Sequence, residues 1–208
     1  MSDTFYLAAE EDAEGFDLSR FISLLGIEPV CGGSFRPDSG APLGPAWEIW
    51  QTELFLPVLA PAFVTAFQAA SAHRIQEIVT CDQSLDQTLS GKIPEWSRLA
   101  GEPFLQGKQE MRGHREWARF AEQVESGNSP GHLCVLFALQ SALYHLALPA
   151  ALSAYAFYEF QSRLEKFPFP LMTEEESEAF LSVMPRIPLA VRSNATETDG
   201  ENGMLRAL

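Results

Sequence analysis

Apolar residues recur along most of this chain at intervals of three and four, the spacing that lines up one face of a helix. No stretch alternates apolar and polar residues as a half-buried strand does. Phe21, Leu24 and Leu25 form one such face, with Asp17 placed to cap it and Gly26 to end it. Pro45 opens a second helix carrying Trp47, Trp50 and Leu54, and Pro57 is expected to break or kink it. A helix from about Val58 or Pro61 carries Phe63, Ala66, Phe67 and Ala70. Ser71 is then placed to cap a helix presenting Ile75, Ile78, Val79, Asp82 and Leu85. Pro94 opens the next, with Trp96, Leu99, Phe104 and Leu105, disturbed by Gly101 and Pro103. His114 to Glu125 puts Trp117, Phe120 and Val124 on one face. Near the end, Thr173 and Glu176 form a capping box for a helix to Met184, which Pro185 and Pro188 are expected to stop.

One stretch departs from the amphipathic pattern. Gly131 to Tyr158 contains no Asp, Glu, Lys or Arg. It reads as two helices that meet at Pro149, and the first is apolar around nearly its whole circumference, the pattern of a helix buried on all sides. Leu133 to Leu148 is sixteen residues, short of the ~20 that a membrane-spanning helix needs. It also carries Gln140, Ser141 and His145, so a buried core hairpin is the expectation. The pattern as a whole predicts an all-α, single-domain bundle of about eight to ten helices around that central hairpin. Residues 1–17 are expected to form an acidic mobile segment, residues 18–192 the domain, and residues 193–208 a loosely held tail.

Composition sharpens this picture. The 208 residues carry a formal net charge of −14, which argues against nucleic acid and favours basic protein partners, or simply solubility. Three cysteines, Cys31, Cys81 and Cys134, lie far apart without a CxxC pair, as expected of free thiols in a reducing compartment. The acidic start lacks the basic and apolar regions of a signal peptide, so the cytoplasm is the expected location.

Candidate chemistry is sparse. His132 and Cys134 are two residues apart and are the weak candidates for a metal site, but at a helix start their side chains diverge, and no third ligand stands at a recognisable spacing. The Gly-rich loop through Gly32 and Gly33 is not followed by Lys-Ser or Lys-Thr, which excludes a P-loop. There is no Gly-x-Ser-x-Gly, no HExxH and no dinucleotide fingerprint. Lys108, Arg112, Arg115 and Arg119 could share a helical face as a basic stripe, either docking a partner or simply facing solvent. The pattern therefore favours a binding or scaffolding role over catalysis. The alternative is an all-α small-molecule-binding protein or enzyme with a pocket lined by aromatic residues such as Trp47, Trp50, Tyr144, Tyr155 and Tyr158.

The order of features resembles the urease accessory protein UreF family. Leu24-Leu25 leads to Pro29-Val-Cys-Gly32-Gly33-Ser-Phe35 and then Ser39-Gly40, similar to the family's Pro-x-Gly-x-Phe-x-x-Ser-x-Gly loop. Ser97 to Leu105 resembles a Ser-x-x-x-Gly-x-x-Leu-Leu pattern, and His132-Leu-Cys-Val resembles His-x-Pro-Val. Arg186-Ile-Pro188-Leu followed by Glu197-Thr198-Asp-Gly200 is similar to the family's C-terminal motif, with Ala190 where a glycine is usual. The resemblance implies a scaffold or chaperone that joins a nickel-binding GTPase and another accessory protein to insert nickel into apo-urease. It implies a homodimer without a cofactor of its own. It also implies partner contacts through Gly32, Gly33, Phe35, Ser39 and Gly40, and through Arg186, Pro188, Thr198 and Gly200.

Overall fold

The computed structural model describes residues 33–38, 40–106, 111, 113–163 and 172–192. All regular structure among the described residues is helical, as the 3.6-residue periodicity predicts. Helix α1 spans Leu43–Trp50 and α2 spans Ala60–Ser71, and the two are joined without a break by a π-helical segment, Gln51–Leu59. Pro57 therefore does not interrupt the helix. A proline cannot donate to the ladder, and its ring crowds the carbonyl four residues back in an α-helix. Here the register is wider: the Ala60 N–H donates to the carbonyl of Phe55, five residues earlier.

Helices α3 (Ile75–Thr88), α4 (Ile93–Gln106), α5 (Arg115–Glu125), α6 (Leu133–Leu143), α7 (Leu148–Ser162) and α8 (Glu174–Leu181) follow, and a short 3-10 turn covers Met184–Arg186. Ser71 ends α2, donating its hydroxyl to the carbonyl of Phe67, and does not cap α3. Gly101 and Pro103 leave α4 intact. Gly101 is needed there because a Cβ would lie 2.0 Å from the carbonyl oxygen of Gly131. The capping box forms as expected: the Glu176 N–H donates to Thr173 Oγ1 and the Thr173 N–H to Glu176 Oε2. The helix expected to run to Met184 ends at Leu181, before Pro185 and Pro188 are reached. They sit in the first turn of the 3-10 element and of a helical stretch at 187–192, where a missing N–H costs nothing.

Every residue of α6 is buried, as is α7 from Ala151 to Ser162. Helix α6 packs most extensively on α2 and then on α4, more than on its neighbour α7. Small residues on α2 (Ala60, Ala66, Ala69 and Ala70, all buried) allow that approach. Helices α3 and α4 flank this centre, α5 lies on α3, and α8 lies on α1. An aromatic cluster fills the α1 end: Trp47 stacks on Trp50 with ring centres 4.5 Å apart, and Phe35, Phe160 and Phe180 pack around them. The run Leu43–Ser71 is long and apolar enough to cross a membrane, but half of its most apolar window is buried against the rest of the chain, as in a core helix.

Candidate functional site

Two buried carboxylates organise the regions that the sequence singles out. Glu159, on α7, faces the Gly-rich loop. Its Oε2 accepts hydrogen bonds from the backbone N–H groups of Ser34 (2.6 Å) and Phe35 (3.2 Å), and its Oε1 is 2.6 Å from the Tyr155 hydroxyl. Trp50 Nε1 donates to Ser34 Oγ from the other side. The loop lies so close that a Cβ on Gly33 would stand 2.2 Å from Glu159 Oε2. Burial pushes the Glu159 carboxyl above the usual carboxylate range, against the opposite pull of Tyr155 and the loop N–H groups. Burial likewise raises the Tyr155 hydroxyl and the Cys134 thiol.

Two of the loop residues expected to contact partners are thus turned inward. Phe35 is 2% exposed and packs on Trp47, Trp50 and Phe160, and the Gly33 backbone is pressed on Glu159. A phenylalanine placed among aromatic side chains is worth more in the core than at the surface. Gly40 is exposed and has φ +89°, a conformation that favours glycine. Arg36 reaches over the Trp96 ring, 4.8 Å from its centre. Gly32 and Ser39 lie outside the described residues.

The second carboxylate is Asp82, on the inner face of α3. Its Oδ2 accepts from the Ser129 hydroxyl (2.6 Å) and the Gly131 N–H (2.7 Å), and its Oδ1 from the His132 N–H (3.1 Å). Asp82 thereby fastens the turn that leads into α6. His132 is the N-cap position of α6 and is fully buried. Its Nε2 lies 3.1 Å from Asp86 Oδ1, and Asp86 also takes Arg98. Burial lowers the His132 pKa, while Asp82 and Asp86 oppose that shift, and burial raises the Asp82 carboxyl. Cys134 points elsewhere, donating to the carbonyl of Leu59. His132 and Cys134 therefore do not converge, and among the described residues no group of three His, Cys, Asp or Glu side chains is arranged to hold a metal ion.

At the other end, Arg186 pairs with Glu48 on α1, and Pro188 is half-buried. Thr198 and Gly200 lie outside the described residues, as do Lys108 and Arg112 of the basic stripe, while Arg115 and Arg119 are exposed on α5. Four of the five aromatic residues considered for a pocket are core instead, and Tyr144 is half-buried against that core. Trp47, Tyr155 and Tyr158 are at most 1% exposed, and the first is stacked on Trp50. An open groove of about 490 Å³ does run between the π segment and α3, but Pro57, Val58, Pro61, Ala62, Cys81 and Leu85 supply its apolar lining, with no aromatic side chain. The Cys81 thiol there is pushed up to about 12 by burial and by Asp82, so it is not a reactive thiolate.

The core built on these two carboxylates, from Trp47 to Ser162, is the span that a family comparison recognises: the UreF family model matches residues 47–162. The chain belongs to the UreF family of urease accessory proteins. That family is accessory and not catalytic. No individual curated protein matches the sequence. The UreF match takes in Ser97–Leu105 and His132–Val135, two of the stretches that carry the resemblance. The Gly-rich loop and the C-terminal motif lie beyond it on either side. Asp82 and Glu159, which fix the geometry of this UreF core, were both visible in the sequence as acids in apolar surroundings. Asp82 falls on the apolar face of its helix, and Glu159 directly follows the charge-free run, between Tyr158 and Phe160.

Proposed function

We propose that this UreF-family chain acts in urease maturation as a scaffold, joining a nickel-binding GTPase and a second accessory protein so that nickel is inserted into apo-urease. The observation that carries this reading is the family match, which spans the packed core from α1 through α7. The chain has no P-loop of its own, so hydrolysis of the nucleotide belongs to the partner. Nickel is cargo in this scheme, and the chain needs no cofactor. The proposed working form is a cytoplasmic homodimer.

The proposed contact surface is the outer part of the Gly-rich loop, with Ser39 and Gly40, together with Arg186, Pro188, Thr198 and Gly200. Gly32, Gly33 and Phe35 contribute by fixing the loop's shape. The exposed Leu189 and Ile49 flank the Arg186–Glu48 ion pair in sequence and supply apolar surface for the same contact.

The test is removal of the chain from a urease-positive host. Urease is then expected to accumulate without nickel, and the tagged chain, when restored, to co-purify with a P-loop GTPase and an accessory protein. Full nickel loading of urease in its absence, with no such partners recovered, overturns the reading.

A further inference from the structure

Glu159 ties together two parts of the chain that are far apart in sequence. It stands on α7 and is 1% exposed, yet its Oε2 collects two consecutive backbone N–H groups of the Gly-rich loop, those of Ser34 and Phe35, 125 and 124 positions away. Successive N–H groups turned toward one oxygen make a concave cradle for an anion, and here the chain's own side chain fills it. Oε1 accepts the Tyr155 hydroxyl from one turn earlier on the same helix, which fixes the direction in which the carboxylate points. Every one of these bonds donates to Glu159.

The loop is fastened on its inner side. The Ser34 hydroxyl accepts from Trp50 Nε1, and the Phe35 ring sits among Trp47, Trp50 and Phe160. Gly33 passes so close that a Cβ would also meet Ser162 Oγ at 2.6 Å. From Arg36 the chain turns outward: Arg36, Asp38 and Gly40 are exposed, and Arg36 comes to rest on the Trp96 ring of α4. Residues 33–38 belong to no helix, so a side chain of the core supplies the acceptor that a regular element would have given the backbone.

We propose that Glu159 is a positioning residue for partner recognition: it touches no partner itself, but by holding Ser34 and Phe35 it presents Arg36, Asp38 and Gly40 in the arrangement that a partner binds. The inference rests on the maturation role proposed above and names the core group on which the loop contact in that role depends. A loop ordered in advance spares the complex the cost of ordering it, so freeing two of its residues is expected to weaken binding about tenfold or more.

The test is binding of the full-length chain to a urease accessory protein of the same host, purified separately, by titration calorimetry, with amide exchange at Ser34 and Phe35 as the report on the loop. Glu159→Ala removes the acceptor and is expected to lose about tenfold or more in affinity, together with amide protection at both positions. Glu159→Gln keeps a side-chain oxygen for the loop and is expected to recover most of that affinity. Gly33→Ala leaves Glu159 in place but pushes the loop off it, and is expected to reproduce the loss. Asp82→Asn weakens the core at the turn before α6 and is expected to bind as the wild type does, which separates positioning from general destabilisation. Wild-type affinity in Glu159→Ala or in Gly33→Ala, or an equal loss in Glu159→Gln or in Asp82→Asn, overturns the proposal. Should Glu159→Ala fail to fold, by circular dichroism, Gly33→Ala decides. A wild-type chain that binds no accessory protein overturns the maturation reading and this inference with it; wild-type binding that the variants leave intact overturns the inference alone.

Discussion

Asp82 shows how much a single side chain holds in this protein. Three donors, the Ser129 hydroxyl and the N–H groups of Gly131 and His132, converge on its buried carboxylate, and two of them are backbone groups in the turn before α6. Each buried donor left without an acceptor costs about 1–3 kcal/mol. Asp82→Ala orphans three at once, so a loss of at least about 3 kcal/mol is expected, read as a lower urea midpoint at unchanged slope. Asp82→Asn keeps one acceptor oxygen and should fall between the variant and the wild type. In this neighbourhood the sequence draws the eye to His132, because imidazole and thiol two residues apart are a familiar metal pattern. Asp82 shows there only as an acid on the apolar face of its helix. Which backbone donors a buried acid collects, 47 to 50 positions away along the chain, is a tertiary fact without a local signature.

At the level of elements, local rules worked where the chemistry is local. The capping box needs only Thr173, Glu176 and the backbone between them, and it forms. Thr173→Ala should destabilise the protein by about 1 kcal/mol, measured by thermal or urea unfolding, with the effect confined to the start of α8. The start of α7 at Pro149 and the His114–Glu125 face were legible for the same reason: three-to-four spacing and a proline in the first turn are enough. Prolines inside longer runs were not. Pro57 and Pro103 were read as interruptions, but packing from neighbouring helices holds both segments helical, one by a change of register. The close approach of Gly101 to Gly131 was likewise invisible, because it depends on α4 meeting the turn before α6, 30 positions along the chain. For the Gly-rich loop only the family resemblance implies partner contacts. Only the packed structure shows that Phe35 anchors it inward.

Taken whole, the molecule is a solid helical core with a strongly acidic formal charge of −14. Charge of one sign accelerates association with an oppositely charged partner and is screened within about 8–10 Å at moderate salt. Association of this chain with a partner in urease maturation is therefore expected to slow about tenfold or more between ~0.05 and ~0.5 M salt, measured as an on-rate by surface binding. An on-rate indifferent to salt would place the contact on apolar patches such as that around Leu189. The all-helical class could be read from periodicity, and the family from a few ordered motifs. Which helices meet could not, because α6 is apolar on every side and its pattern names no preferred neighbour. The π segment has one more consequence. Each π turn holds an extra residue, so the two ends of the 43–71 helix are out of phase with what a uniform α-helix would give. Trp47 and Trp50 can thus look toward the loop and α8, while Phe63 meets Phe137 on α6 and Tyr155 on α7. In a uniform α-helix one residue more or less would rotate the two halves by about 100° against each other, whereas the π register takes up the extra residue locally. A one-residue deletion between Gln51 and Leu59 is therefore expected to be tolerated better than one in α1 or α2.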